Sequence, residues 1–346
     1  MSAVLDLPVY TYARGRSAFF SLEYTLLNLM SIALPGTSAY RSKPDLKTLL
    51  LIRRELLALL KADSANIARG VYPMAVLKPE SPVAHFKRLP KIIADGFSIY
   101  WRRTRGKTTV FENEARELLS ELPRYYRRNF HFQTDGYLSK HSAELYEHQV
   151  EMLFAGAADA MRRMIIAPLR EKFGKSDGKG LNFLEIGAGT GRATRFVRLA
   201  FPKAKIVALD LSEPYLKKAQ KNLERFNRID FVQGDGASLP FQDKYFDAVY
   251  SVFLYHELPR EVRSQVLAEQ RRVLKPGGFM GLVDSIQICD TDEFKAALLE
   301  FPQSFHEPFY RDYVTHPIEA LAKKAKFSRI KTGHAFFAKV CSGTAR

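Results

Sequence analysis

The sequence predicts a doubly wound α/β sheet in the second half of the chain, preceded by a mainly helical region. Two observations carry this. From Leu181 onward, short apolar runs alternate with helix-like runs, as a parallel sheet with crossover helices requires. The first run, Leu181 to Ile186, passes directly into Gly187-Ala188-Gly189-Thr190-Gly191, and a helical pattern starts at Arg192. That order turns a buried parallel strand into a helix N-terminus, whose N–H groups favour the electronegative end of a ligand.

In chain order, Ser17 to Leu34 is apolar-rich but interrupted by Glu23 and Asn28, which suits a packed or interfacial helix better than a span. Leu46, Leu49, Leu50, Arg53, Leu57 and Leu60 give an amphipathic helix starting near Pro44-Asp45. Phe86 to Lys107 carries seven basic residues and one acid, interleaved with Phe97, Tyr100 and Trp101. It reads either as a surface for phosphate or anionic lipid, or as a solvated helix face with its aromatics turned inward. Tyr125 to Tyr137 is a denser aromatic and polar cluster ending in the turn signal Asp135-Gly136. A long helix is expected from Ala143 to Lys172, ended or kinked by Pro168. Lys175 to Gly180 is the strongest boundary signal.

Strands are expected near 181–186, 204–209, 229–233, 246–252 and 278–284, and helices near 191–201, 213–226 and 260–274. Lys275-Pro276-Gly277-Gly278 reads as a turn into the fifth strand. An apolar and aromatic insertion, 286–315, precedes a helix from Pro317 to Ala325. Arg329 to Thr332 and Ala335 to Val340 close the chain as a hairpin.

A net charge of +16 over 346 residues suits anionic partners. It is evenly spread: 22 Lys and Arg against 14 Asp and Glu in residues 1–150, and 31 against 23 in the rest, so no basic tail singles out a partner. Cys289 and Cys341 form neither a disulfide framework nor a metal-ligand spacing. A reducing, cytoplasmic setting is expected, with contact to a membrane at most peripheral.

A dinucleotide fingerprint would place its third glycine at position 192; here that residue is Arg192 and the glycine is Gly191. Glu185 stands two residues before the first glycine. Asp210 ends the second strand, Gly234-Asp235-Gly236-Ala237 follows the third, and Phe246 to Ser251 forms the fourth. Arg272-Val273-Leu274-Lys275-Pro276-Gly277-Gly278 leads into the fifth. In this order the segments resemble the successive motifs of class I S-adenosylmethionine (SAM) methyltransferases, closest to the quinone-biosynthesis type and its small-molecule relatives, over residues 145–341. The resemblance implies a Rossmann-like sheet of seven strands with the last antiparallel. It divides the chain into a helical region 1–140, facing lid, substrate or membrane, and a SAM-binding domain 141–346.

It also implies where SAM would sit, with S-adenosylhomocysteine as product. Glu185, Gly187, Ala188, Gly189 and Gly191 would meet the methionine end. Asp210, with Leu211 beside it, would accept from the ribose hydroxyls; the competing reading of Asp210 is a helix cap, for which Ser212 is better placed. Asp235 would accept the adenine amino group, with the Gly236 or Ala237 N–H donating to the ring, and Ser251, at the end of the fourth strand, is a further cofactor-binding candidate. Phe132, Tyr137 and His141 are lid candidates, with Tyr137 on the cofactor. The family usually faces its acceptor with the loop after the fourth strand, here Tyr255-His256-Glu257. His256 or Glu257 could orient or deprotonate a hydroxyl, or else cap the following helix. Asp284, His306, Glu307 and Tyr310 are weaker pocket candidates.

Absences narrow the acceptor. No Asn/Asp-Pro-Pro-aromatic motif follows the fourth strand, which argues against amino methylation of bases, and no Pro-Cys nucleophile lies there. No paired-carboxylate pattern calls for a metal. The expected activity is methyl transfer to a small, apolar or aromatic acceptor without a metal. The rivals are an RNA methyltransferase gripping phosphate with its basic N-terminal region, and a non-catalytic SAM-binding regulator.

Overall fold

The computed structural model describes residues 2–32, 45–79 and 81–346. Pro44 and Leu34, used above as boundary marks, lie outside them. The N-terminal region is helical: α1 (Ser2–Ile32), α2 (Leu46–Ala68), α3 (Pro82–Thr104) and α4 (Asn113–Leu118). α2 begins where Asp45 caps it, accepting from the Thr48 N–H at 2.7 Å.

The expected helix over 143–172 is three helices: α5 (Lys140–Leu153), α6 (Ala158–Arg163) and α7 (Ile166–Phe173). The first break is at Ala155-Gly156, both at positive φ, where a Cβ on Gly156 would stand 3.1 Å from the Arg16 carbonyl of α1. Pro168 breaks nothing: it sits in the first turn of α7, where a missing N–H costs no hydrogen bond.

From Asn182 the chain alternates β1 (Asn182–Ile186), α8 (Arg192–Ala200), β2 (Lys205–Asp210), α9 (Glu213–Leu223), β3 (Ile229–Gln233), β4 (Phe246–Val252), α10 (Arg260–Val273) and β5 (Leu274–Ser285). The insertion supplies α11 (Lys295–Phe305) and α12 (Tyr310–Thr315). After α13 (Ile318–Lys324), the hairpin β6 (Phe327–Ala335) and β7 (Ala338–Ala345) completes a seven-stranded sheet of order β3-β2-β1-β4-β5-β7-β6. β1 to β5 are parallel, and β7 runs antiparallel to both neighbours. Lys275 to Gly278 proves to be an irregularity inside β5: Phe246 pairs with Leu274, and the next pair is Ala248 with Phe279.

Successive strand residues point to opposite faces, and two cores follow. Phe183, Ile206 and Tyr250 face one that includes α6, α7 and α8 together with Val9 of α1 and Leu59, Leu60 and Ile67 of α2. Leu184, Val207 and Val249 face the other, with α10, α12 and α13. Buried ion pairs bind the helical region to this frame. Asp63 of α2 takes a bidentate grip on Arg163 at 2.9 and 2.6 Å, and Asp159 of α6 does the same for Arg192, the first residue of α8.

On α3 the aromatics are not turned inward, although Lys87, Lys91, Arg105 and Lys107 do face solvent. Phe86, Phe97 and Trp101 are exposed, while Arg88, Asp95 and Arg102 are buried.

Candidate active site

A cavity opens at the carboxyl ends of β1, β2, β3 and β4, where strand order reverses between β1 and β4. On one side it is lined by loops. Gly187, Gly189 and Gly191 take φ of +73°, +54° and +79°. A Cβ on Gly191 would stand 2.7 Å from Leu223 Cδ1, so position 191 needs glycine for packing as well as for φ.

Asp210 ties the loop down. Its Oδ2 accepts from the Gly189 N–H at 2.7 Å and its Oδ1 from the Ser212 N–H at 2.8 Å. Ser212 caps α9, accepting from the Tyr215 N–H, so the cap is not Asp210's task. Burial pushes the Asp210 carboxyl up to about 6 against the pull of those donors. Glu185 is buried, accepting from the Thr194 hydroxyl at 2.6 Å and the Tyr250 hydroxyl at 3.1 Å, and burial carries it up to about 8. In the third loop, Asp235 Oδ1 accepts the Ala237 N–H at 2.9 Å, which withdraws that donor from the cavity.

The opposite wall is side chains. Tyr125, Tyr126, Tyr137, Tyr146 and Tyr215 line it, with Tyr137 stacked on Phe130 at 5.4 Å and edge-on to Tyr215 at 5.3 Å. The segment that presents them is strained: His131, Phe132 and Asp135 all have positive φ. It is held by buried Asn129, whose side chain accepts the Val110 N–H and donates to the Val110 and Gln133 carbonyls, and by Arg102, which donates to the Phe132 carbonyl at 2.7 Å.

This places His131 among acidic groups. Its Nε2 is 3.0 Å from the Tyr137 hydroxyl and 3.6 Å from Glu257, and its Nδ1 is 3.2 Å from Glu307. The Tyr137 hydroxyl donates to Glu257 at 2.5 Å. Burial opposes charging His131, but Glu307 and Glu257 outweigh it and its pKa rises. Buried Glu307 is pushed up to about 7 by desolvation, with His131 and His256 pulling it down.

Of the acceptor-facing candidates Tyr255, His256 and Glu257, only Glu257 lines the cavity, beside Phe253, Leu254 and Leu258 of the same loop. Tyr255 is buried in the core with no partner for its hydroxyl. Asp284 accepts from the Leu254 and Tyr255 N–H groups and from His256 Nδ1 at 2.6 Å. Burial works against charging His256, but Asp284 raises it to about 10, so it is an imidazolium at neutral pH and braces the turn.

Glu185, Gly187, Ala188, Gly189, Asp210, Leu211, Asp235, Gly236 and Tyr137 therefore converge on one cavity. Gly191, Ala237, Ser251, Tyr255 and His256 stand outside its lining: Gly191 heads α8, and Ser251 is buried in β4. Of the lid candidates, Phe132 packs on His306 and His141 lies in a shallow groove with Glu112 and Arg116. Tyr310 is occupied by Ser285. Sequence reasoning passed over His131, Tyr126, Tyr146 and Glu147. The usable signal was the density of Tyr, His and Asn ahead of Asp135-Gly136, and the helix starting after Ser139, which carries Tyr146 and Glu147 to the cavity.

Among the described residues, two groups have donors close enough together for a metal: His131, Glu257 and Glu307 here, and Glu23, His85 and His148 between α1, α3 and α5.

Residues 183–278 match the family model described as "Methyltransferase domain". A fatty-acid O-methyltransferase of Mycolicibacterium smegmatis is 32% identical over 145 residues, 42% of this chain and 52% of that protein. A demethylmenaquinone methyltransferase of Tropheryma whipplei is 34% identical over 144 residues, again 42% and 52%. The chain thus spans about half the length of these relatives. A solved phosphoethanolamine N-methyltransferase 2 of Haemonchus contortus, in complex with SAM, is 23% identical over 49% of this chain and 38% of its own, with a TM-score of 0.39. With the sheet order, the glycine turn and the matched model together, a methyltransferase domain of the class I, SAM-dependent type is built into this chain.

Proposed function

With a class I domain as premise, we propose that the protein transfers a methyl group from SAM to a hydroxyl of a small, apolar or aromatic, lipid-soluble acceptor. The observation that carries this reading is the contact of Glu257 with Tyr137 on a wall of tyrosines in the cavity that the glycine loop also lines, with His131 bonded to Tyr137. The cavity fits the cofactor by its donor set: N–H groups at the head of α8, and carboxylates at the ends of three strand regions, Glu185, Asp210 and Asp235. Glu185 and the glycine loop would take the methionine end, Asp210 the ribose, and Asp235 with Gly236 the adenine. The relatives named for fatty acid and demethylmenaquinone support a lipid-soluble acceptor, and peripheral contact with an anionic membrane belongs to the same reading.

When bound, SAM supplies an electrophilic methyl carbon on a sulfonium. This chain's part is to align the acceptor oxygen in line with that carbon, exclude water and remove a proton. Glu257 would accept the acceptor's O–H proton in place of the Tyr137 hydroxyl it now binds. Tyr137 and His131 would keep its carboxylate oriented, and His131 is itself fixed by Glu307. His256, already protonated and locked to Asp284, has no role as a base. No metal is needed. The Nε2 of His131 is already engaged by the Tyr137 hydroxyl, and its Nδ1 faces Glu307, an arrangement that orients Glu257 through Tyr137 without an ion.

The test is methyl-labelled SAM with the protein and a cell extract, following label into organic solvent, water-soluble molecules, RNA and protein, with Asp210→Ala as the cofactor-site control. Label in the organic phase, lost in the variant and indifferent to chelator, is the expected result. Label in RNA, or none anywhere despite SAM binding, would overturn the reading.

A further inference from the structure

α3 is inside out. Val83, Phe86, Pro90, Ala94, Phe97 and Trp101 recur at three- and four-residue spacing, and all face solvent; the three aromatics are 42–59% exposed. The opposite face holds Arg88, Asp95 and Arg102, all buried. Asp95 accepts from the Thr134 hydroxyl and the Gln149 amide, and Arg102 grips the Phe132 carbonyl. Charged groups, together with Ile92 packed on Phe20, Leu145 and Met152, thus attach the helix to the protein, and its apolar stripe is presented outward, the reverse of a helix whose outer face meets only water.

The stripe continues onto α1. The His85 ring lies between Phe86, at 5.5 Å, and Phe19, at 5.3 Å, and exposed Leu22, Leu26 and Leu29 extend it. Among the described residues, every exposed large apolar side chain lies between positions 7 and 110. Cations rim the face: Lys87, Lys91 (which also meets Glu144), Lys107, and Arg105 stacked over Trp101 at 4.8 Å, all exposed. The one acid of residues 86–107, Asp95, is buried.

We propose that this α1–α3 face rests on an anionic lipid bilayer. The aromatic and aliphatic stripe enters the headgroup boundary, and the lysines and arginines meet lipid phosphates. The charge rim selects this occupant. A second copy would set cations against cations, and RNA would leave Val83 and the α1 leucines in water, since bases stack on rings rather than on aliphatic chains. No helix of the described residues is long and apolar enough to cross a membrane, which fits a chain that lies on the surface. The purpose of the docking, though not its chemistry, rests on the lipid-soluble acceptor. The inner side of α3 grips residues 132–134, next to His131, so the docked helix stands between the bilayer and the wall on which the acceptor is expected.

Trp101 is the only tryptophan of the chain and reports on the face directly. The whole protein is mixed with phosphatidylcholine vesicles, with and without phosphatidylglycerol, and followed by tryptophan emission and co-sedimentation. The expected result is a blue shift and sedimentation with anionic vesicles, at least about tenfold stronger than with neutral ones and weakened by salt. Phe86→Ser with Phe97→Ser, both at exposed positions, should lose most of this binding with an unchanged circular dichroism spectrum and unchanged transfer to a detergent-dispersed acceptor. Three results would overturn the proposal: no shift with anionic vesicles, a shift with RNA instead, or a shift that follows protein concentration without vesicles. Vesicle binding without any label in the organic phase would sink the acceptor reading and leave the docking face standing; the converse would sink the docking face alone.

Discussion

The two walls of the cavity are built by opposite means. The proposed cofactor wall is built on strand ends: the glycine loop just after β1, Asp210 as the last residue of β2 and Asp235 just after β3. The acceptor wall is side chains brought from far apart. Tyr137 and Glu257, 120 residues apart, meet by a direct hydrogen bond, and His131, in a left-handed conformation, links them to Glu307, 50 residues further on. A wall made of strand ends is fixed once the sheet forms. One made of converging side chains depends on every segment that positions them.

The sharpest way to separate the walls is at Glu257. Glu257→Gln keeps the shape and removes the proton acceptor, so kcat should fall by roughly 10²–10⁴ while SAM affinity stays within about threefold. Loss of SAM binding in that variant would show that the two walls are not independent. Asp210→Ala works the other way. It removes the acceptor of the Gly189 and Ser212 N–H groups, and calorimetry should show SAM affinity falling by roughly 10²-fold or more.

Stability should answer to pH through the acceptor side. His256 is raised to about 10 in the folded protein. Its contribution is therefore complete below its ordinary pKa of about 6.5 and disappears as pH rises through 10. Denaturant unfolding should show a loss on the order of 4 kcal/mol between pH 7 and 10.5 that His256→Gln lacks. An equal loss in that variant would deny the Asp284–His256 brace.

The smallest effect belongs to Glu185. Raised to about 8 by burial, it is largely protonated at pH 6 and ionises as pH approaches 8. SAM carries positive charge, so its affinity should rise over that window, by roughly up to tenfold, and Glu185→Gln should flatten the rise. A flat profile in the unaltered protein would remove Glu185 from the cofactor wall.

The sequence by itself determined the α/β half: the strands, their order of appearance and the three loops that follow them. Each is written locally, as an apolar run of the right length followed at once by glycine or aspartate, and strand ends put such neighbours on one edge without help from elsewhere. Tertiary structure alone decided the acceptor wall. Nothing local distinguishes His131, which lines up with Glu257 and Glu307 through Asn129 and Arg102, from any histidine in an aromatic loop. It equally decided that His256 is a brace, since Asp284, its partner, arrives from the adjoining strand. Composition marked residues 86–107 as basic and aromatic but left open which face is buried, because either side could have packed. The buried partners of Asp95 and Arg102 settled that, turning these two charges in and Phe86, Phe97 and Trp101 out.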